Sequence, residues 1–83
     1  MAAPIHLAID LEAGICYVRY SDAPVARTIE VPPSATVAAD LDEEGAVIGI
    51  EIVRLGDSGD LARARRFAEE RALRFPALPG SLS

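Results

Sequence analysis

The chain has 83 residues and a formal net charge of −5, which suits one small domain and argues against a general nucleic-acid binder. No run of 18 apolar residues occurs, so the sequence predicts no membrane span. A single cysteine and the lack of a signal-peptide pattern predict a cytoplasmic protein. Abundant alanine, together with arginine in place of every lysine, suggests a GC-rich bacterial source.

The first third of the chain predicts three strands separated by turns. Residues 5–10 and 25–31 alternate apolar and polar side chains, and residues 15–20 are rich in β-branched and aromatic side chains. Gly14 permits the first turn, because glycine adopts backbone conformations that other residues avoid. Pro32 ends the third strand, because proline cannot donate a hydrogen bond to a ladder.

Two further strands, residues 36–42 and 46–55, flank an acidic turn that ends in Gly45. Residues 42–45 suit a type I turn closed by a glycine in the left-handed region, a common hairpin connection. The last strand is apolar on both faces, which indicates a central strand or a face covered by another copy of the chain.

Beyond residue 60 the apolar spacing becomes helical, at Leu61, Ala64, Phe67 and Ala68. Ser58 or Asp60 is expected to cap the helix N-terminus, and Pro76 is expected to end the helix. We therefore expect a single domain over residues 1–75 and a flexible tail over residues 76–83.

The predicted fold class is α+β, with an antiparallel β-meander of four to five strands and one C-terminal α-helix packed on one face. The helix is expected to cover a sheet core formed by Leu7, Ile9, Val18, Ile29, Leu41, Ile48, Ile50 and Ile52.

The acidic turn imitates a calcium-binding loop. Asp40, Asp42, Glu44 and Glu51 match positions 1, 3, 5 and 12 of an EF-hand loop, with Gly45 at position 6. An EF-hand loop needs a helix on each side, whereas the flanking residues here alternate as strands. In an extended strand, Glu51 would lie roughly 20 Å beyond Gly45. The sequence therefore predicts a hairpin turn and no metal site.

The other reactive side chains predict no catalytic centre. His6 and Cys16 are single residues of their kinds and supply no zinc-binding set. Cys16 alternates with Val18 and Tyr20, as a small buried hydrophobic residue does. Paired carboxylates such as Asp40 and Asp42 could support acid–base chemistry, but a solvated sheet face explains them as well. We expect a non-enzymatic protein that needs no cofactor.

The charge is unevenly distributed, because residues 1–57 sum to −7 and residues 58–83 sum to +2. Attraction within the fold or across a homodimer accounts for this asymmetry, and a basic helix directed at an acidic partner is the alternative. The helix lacks the interleaved aromatic residues that single-strand binders use for stacking, so no nucleic-acid partner is expected.

The chain resembles domain-of-unknown-function family 2283, a family of small uncharacterised bacterial proteins. The resemblance runs from about residue 9 to residue 55 and rests on three blocks, residues 10–21, 25–31 and 40–52. The last block, with its acidic turn and the Ile-Gly-Ile-Glu-Ile sequence, is the most specific. The resemblance implies a meander domain and no established activity.

We expect a protein–protein interaction module that forms a homodimer. The association surface is expected on the second sheet face, at Val47, Gly49 and Val53, or along an unpaired sheet edge. One alternative is an antitoxin-like partner subunit of a toxin–antitoxin pair. A small hydrolase that uses the carboxylates of Asp40, Asp42 and Glu51 is the third interpretation.

Overall fold

The computed structural model describes residues 1–32 and 35–78. Within them the chain forms five strands and one helix in chain order: β1 (His6–Asp10), β2 (Ile15–Arg19), β3 (Arg27–Glu30), β4 (Val37–Leu41), β5 (Val47–Ile52) and α1 (Ser58–Glu69). The predicted α+β class is confirmed.

The five strands form one antiparallel sheet in the order β1-β2-β5-β4-β3. Consecutive strands are neighbours within β1–β2 and within β3–β4–β5, as in a meander. The connection from β2 to β3 carries the chain to the far edge, and β5 then returns to lie beside β2. β5 is therefore the central strand, which explains why both of its faces are rich in apolar residues.

The core lies between the sheet and α1. Buried side chains come from β2, β4 and β5, and α1 adds three more; the set is Cys16, Val18, Val37, Ala39, Ile50, Ile52, Ala64, Phe67 and Ala68. Among the five described strands, the helix packs against β4 and β5. Leu7 was expected in the core but is 37% exposed, because its strand lies beyond the reach of the helix.

The predicted hairpin between β4 and β5 is confirmed. The Asp42 carboxylate accepts hydrogen bonds from the backbone N–H of Glu44 and of Ala46, each at 2.9 Å. Gly45 has φ +83°, in the region that favours glycine. The acidic turn is thus held by its own local hydrogen bonds.

A β-bulge interrupts the pairing of β4 with β5 near this turn. Asp40 pairs with Gly49, whereas Leu41 pairs with Val47, so Ile48 is the extra residue. Val47 packs against the core as a result, and it does not share a face with Gly49 as the simple alternation had predicted.

The N-terminus of α1 differs from expectation. The cap is Asp57, whose carboxylate accepts from the backbone N–H of Asp60 at 3.0 Å, so the predicted caps Ser58 and Asp60 are wrong. The Asp60 side chain is instead fully buried. It accepts hydrogen bonds from the Thr36 hydroxyl, from Arg54 Nε at 3.1 Å and from Arg63 Nη2. It thereby ties the helix to the start of β4.

The helix ends well before Pro76, which was expected to stop it. Ala72 has φ +57°, and Leu73 N–H donates to the Ala68 carbonyl at 2.9 Å while Ala72 N–H donates to the Glu69 carbonyl at 3.1 Å. This is a Schellman ending, in which alanine occupies the position that glycine usually takes.

The chain beyond the helix returns across the core. Leu73 forms a parallel bridge with Ala2, and the Tyr20 hydroxyl donates to the Arg74 carbonyl at 3.0 Å. Phe75 and Leu78 pack against the core. Leu78 belongs to the segment that the sequence predicted as a tail, of which residues 79–83 lie outside the described residues.

Candidate interaction site

The sheet face opposite α1, here called the open face, has no helix or strand of the described residues packed upon it. Its members alternate with the core residues and pair with one another across the strands. They are His6, Ala8, Asp10, Ile15, Tyr17, Arg19, Thr28, Glu30, Ala38, Asp40, Gly49 and Glu51.

A hydrogen-bond network crosses the centre of the open face. The Tyr17 hydroxyl donates to Asp40 Oδ2 at 2.7 Å, which links β2 to β4 across the intervening strand β5. The Thr28 hydroxyl donates to Asp40 Oδ1 at 2.6 Å, which extends the network to β3. Both carboxylate oxygens of Asp40 are thus occupied by hydroxyl donors from two other strands.

Arg19 fixes the other end of this network. Its Nε donates to the Ser21 carbonyl and its Nη2 to the Ala23 carbonyl, each at 2.6 Å, while Nη1 donates to the Tyr17 hydroxyl at 3.3 Å. The guanidinium is therefore held by the β2–β3 connection. Partial burial and then the hydrogen bond to Asp40 raise the pKa of Tyr17, so its hydroxyl keeps the proton that it donates.

Gly49 is what allows Tyr17 to reach across β5. A Cβ placed on Gly49 would lie 2.2 Å from Tyr17 Oη and 2.7 Å from Cζ, closer than atoms can approach. The phenol ring therefore lies directly over the backbone of β5. Glycine in the interior of a strand often marks such a close approach, and that was the signal in the sequence that could have revealed the contact.

The open face also carries exposed apolar and acidic groups. Ile15 is 38% exposed and Val53 is 41% exposed, and the register that pairs Cys16 with Ile52 places both at the same end of the sheet. Glu30 and Glu51 add negative charge to this face, while the donors of Arg19 are directed to the groups of the network.

Strand β1 forms an exposed edge of the sheet. Every one of its residues except Ile9 is exposed, and Ile5 just before it is 55% exposed. The Tyr20 N–H donates to the Ile48 carbonyl at 2.9 Å. The backbone groups of the even-numbered residues of β2 therefore point to β5, and those of the odd-numbered residues, such as Tyr17, point to β1. Because Tyr17 pairs with Ala8, the backbone groups of Leu7 and Ile9 point away from β2, toward the edge.

A basic groove lies on the opposite side of the molecule, between the end of β3 and α1. Arg63, Arg66 and Arg71 line a cavity of about 310 Å³ together with Phe67 and Glu70. The Arg71 guanidinium stacks 3.7 Å from the centre of the Phe67 ring. Arg63 is committed to the buried Asp60, and Arg71 to Phe67 and Glu70, so much of the groove's charge is already compensated within the chain.

The three residues predicted as an interface are not brought together. Val47 packs against the core, Gly49 lies beneath the Tyr17 ring, and only Val53 is exposed. Whether they take part in association stays a prediction. The bulge at Ile48 explains the separation, since it changes the side-chain alternation between Val47 and Gly49.

The four carboxylates of the calcium-like spacing have separate surroundings. Asp40 belongs to the open-face network, Asp42 closes the turn, Glu44 is exposed at its tip, and Glu51 lies opposite Tyr17. In residues 1–32 and 35–78, no three His, Cys, Asp or Glu side chains converge as metal ligands would.

His6 and Cys16 lie on opposite faces of the sheet. His6 is exposed on the open face, opposite Arg19. Cys16 is fully buried in the core, and this burial raises the pKa of its thiol. The two residues therefore cannot act as a nucleophile and its base.

Comparison with protein families identifies the family to which the sheet region belongs. A family model described as "Protein of unknown function (DUF2283)" matches residues 7–55, more than half of the chain. The chain belongs to this family. The DUF2283 match covers most of β1 and all of β2 to β5, with the whole open-face network, and ends before α1. Comparison with curated proteins and with solved structures gives no match.

The family description assigns no activity, so the surfaces themselves must indicate what this DUF2283 protein does. Among the described residues, the helix α1 is too short and too polar to cross a membrane. The two features that stand out are the exposed edge at β1 and the fixed polar network on the open face.

Proposed function

We propose that this DUF2283 protein is a non-enzymatic interaction module that forms a homodimer through the edge of β1. The observation that carries the proposal is the state of this strand, since four of its five residues are exposed and the backbone of Leu7 and Ile9 points outward. An edge of this kind is a template for pairing with another strand.

The apolar side chains at this edge support the proposal. Leu7 lies on the core side of the sheet, yet it is 37% exposed because α1 stops at β5. Ile5, just before the strand, is 55% exposed. A second copy of β1 would cover these side chains and complete the hydrophobic layer that the helix leaves unfinished.

The opposite edge is protected, in contrast. Strand β3 has four residues and lies between Pro24 and Pro32, and its ends carry Arg27 and Glu30. Short strands, prolines and charges are the devices by which proteins prevent pairing at an edge. The contrast points to β1 as the edge that associates.

The state of the carboxylates supports a non-enzymatic role. Both oxygens of Asp40 accept hydrogen bonds from hydroxyl groups, and the Asp42 carboxylate accepts hydrogen bonds from two backbone N–H groups of the turn. A general acid or base needs a carboxyl group that can reach a substrate. These two carboxylates are instead engaged in holding the sheet and the turn.

The proposal is tested by the substitution Leu7→Pro, with Glu30→Pro as the matched control. The Leu7 N–H points away from β2, so proline there removes a donor to the second copy and none to the sheet. The Val31 N–H donates to the Val37 carbonyl at 2.8 Å, which by alternation turns the Glu30 N–H outward at the β3 edge.

Light scattering coupled to size-exclusion chromatography measures the result. We expect dimers for the wild type and for Glu30→Pro, and monomers with an unchanged circular-dichroism spectrum for Leu7→Pro. A wild type that stays monomeric at several hundred micromolar refutes the homodimer. A Leu7→Pro protein that is folded and still dimeric refutes the β1 edge as the dimer interface.

The acidic open face favours a second candidate, an antitoxin-like subunit that binds a basic protein. Glu30, Glu51 and Asp10 are on this face, while Arg19 is held by the network, so the charge offered to a partner is negative. A toxin-like protein encoded beside the gene should then co-purify with the wild type and less with Glu51→Arg. Co-purification that is indifferent to Glu51→Arg and to salt contradicts this candidate.

A further inference from the structure

We infer that the two copies pair with Ala8 on the molecular two-fold axis, so that His6 of each copy lies opposite Asp10 of the other. This inference rests on the proposed homodimer and specifies its register. It follows from the length of β1, from the direction of its backbone groups and from the chemistry of its two ends.

Strand length favours this register. β1 runs from His6 to Asp10 with Ala8 at its centre. Antiparallel pairing about Ala8 gives every residue of the strand a partner, whereas pairing about Leu7 would leave Asp10 beyond the strand, opposite Pro4. A two-fold axis requires such self-complementary pairing, since each contact is made twice.

The direction of the backbone groups of β1 also favours pairing about Ala8. The N–H and C=O groups of Leu7 and Ile9 point outward, so these two must form the hydrogen-bonded pairs of the new ladder. Pairing about Ala8 places Leu7 opposite Ile9 of the other copy and gives about four backbone hydrogen bonds. His6, Ala8 and Asp10 then form the non-hydrogen-bonded pairs, in which side chains come closest.

Side-chain chemistry completes the match on both faces. On the core side, Leu7 and Ile9 meet as two apolar residues, and Leu7 loses its exposure. On the open face, the imidazole of His6 meets the carboxylate of Asp10, whose Oδ1 also accepts a hydrogen bond from the Ala13 N–H at 3.0 Å. An imidazole N–H can donate a hydrogen bond to a carboxylate directly across a ladder, whereas two carboxylates in that position repel each other.

The small side chain at the centre also fits. Ala8 would lie against Ala8 of the other copy at the axis. A bulky residue at this position would clash with its own copy, and a charged residue would be repelled by it. Its neighbour across β2 is Tyr17, so the dimer would place the two Tyr17 networks in one continuous ten-stranded sheet with both open faces on the same side.

Single-cysteine substitutions test the register by disulfide formation. In Ala8→Cys the two new thiols face each other across the axis, so mild oxidation should convert the dimer almost completely into a disulfide-linked species. Leu7→Cys and His6→Cys should give little, because their like residues are offset. The wild type is the control, since its Cys16 is fully buried.

A charge exchange tests the His6–Asp10 pair independently. His6→Asp opposes two carboxylates and should raise the dimer dissociation constant by roughly 2- to 30-fold, since each cross-strand pair occurs twice. His6→Asp combined with Asp10→His restores opposite partners and should recover most of the affinity. Sedimentation equilibrium measures both.

The outcomes separate this inference from the proposed function. A dimer that is lost in Leu7→Pro but crosslinks through Leu7→Cys, and not through Ala8→Cys, overturns the register and leaves the edge dimer standing. Failure of the exchange to recover affinity overturns the His6–Asp10 pair. A wild type without any dimer removes the proposed function, and the register falls with it.

Discussion

Replacing Gly49 by alanine places a methyl group where the Tyr17 ring lies, 2.2 Å from its hydroxyl oxygen. The ring must move, and the hydrogen bond to Asp40 at 2.7 Å is lost. A hydrogen bond to a charged group contributes about 1.5–3 kcal/mol, and the partial exposure of Tyr17 favours the lower value. Displacing the ring from its rotamer adds about 0.5–1.5 kcal/mol.

Alanine would otherwise stabilise a strand interior by about 0.5–1 kcal/mol over glycine. The net expectation for Gly49→Ala is a loss of about 1–2.5 kcal/mol in unfolding free energy, or roughly 4–20 °C in Tm. Urea denaturation at one fixed protein concentration measures it. Gly56→Ala is the matched control, since no atom lies within 4 Å of the added Cβ, and it should change stability by less than about 0.5 kcal/mol.

The decisive comparison is the same substitution in a Tyr17→Ala protein. Without the ring there is no clash, so Gly49→Ala should there be neutral or stabilising by up to about 1 kcal/mol. A Gly49→Ala that destabilises equally in both backgrounds would show that the cost has another origin. A Gly49→Ala that stabilises the wild type would show that the ring does not lie over β5.

Three further predictions concern the rest of the fold. The hydrogen bond from Thr36 lowers the pKa of Asp60, and Arg54 and Arg63 act in the same direction. This carboxylate therefore stabilises the fold above about pH 4, and that stability is lost as the pH falls through the lowered pKa of the folded state. Asp60→Asn should therefore lose about 1–3 kcal/mol at pH 7 and flatten the acid limb of a stability–pH curve; an unchanged limb contradicts this. Ala72→Gly should stabilise by about 0.5–1 kcal/mol in thermal unfolding, because φ +57° strains alanine, and a loss of stability would refute the Schellman ending. The Cys16 thiol should react with a disulfide reagent only as fast as the protein opens, and rapid reaction in the native state would contradict its burial.

Local chemistry explains which features could be predicted from the sequence. The turn at residues 42–45 was predictable because its determinants, Asp42 and Gly45, are within it. The strands were predictable because their apolar residues alternate. The strand order was not, since the β2–β5 pairing joins residues from 30 to 36 positions apart, such as Arg19 with Gly49 and Cys16 with Ile52, and nothing local specifies it.

The polar sites were missed for the same reason. Tyr17 and Asp40 are 23 residues apart, and their contact depends on Gly49, which belongs to a third strand. Asp60 occupies a position typical of a helix cap, but Asp57 fills that role and leaves Asp60 free to bind Thr36. The bulge at Ile48 likewise arises from pairing between strands, so the predicted Val47–Gly49 face could not be excluded from the sequence.

The extent of the family match bears on where association is to be sought. The DUF2283 match ends at Leu55, so it contains four residues of β1 and the whole Tyr17–Asp40 network but none of the arginines that line the basic groove. The groove is also partly neutralised by Asp60 and Glu70. By contrast, the outward backbone groups of Leu7 and Ile9 in β1 can pair with a strand of another chain. The proposed homodimer would therefore use a sheet edge that lies within the family match, whereas the arginines of the groove lie outside it.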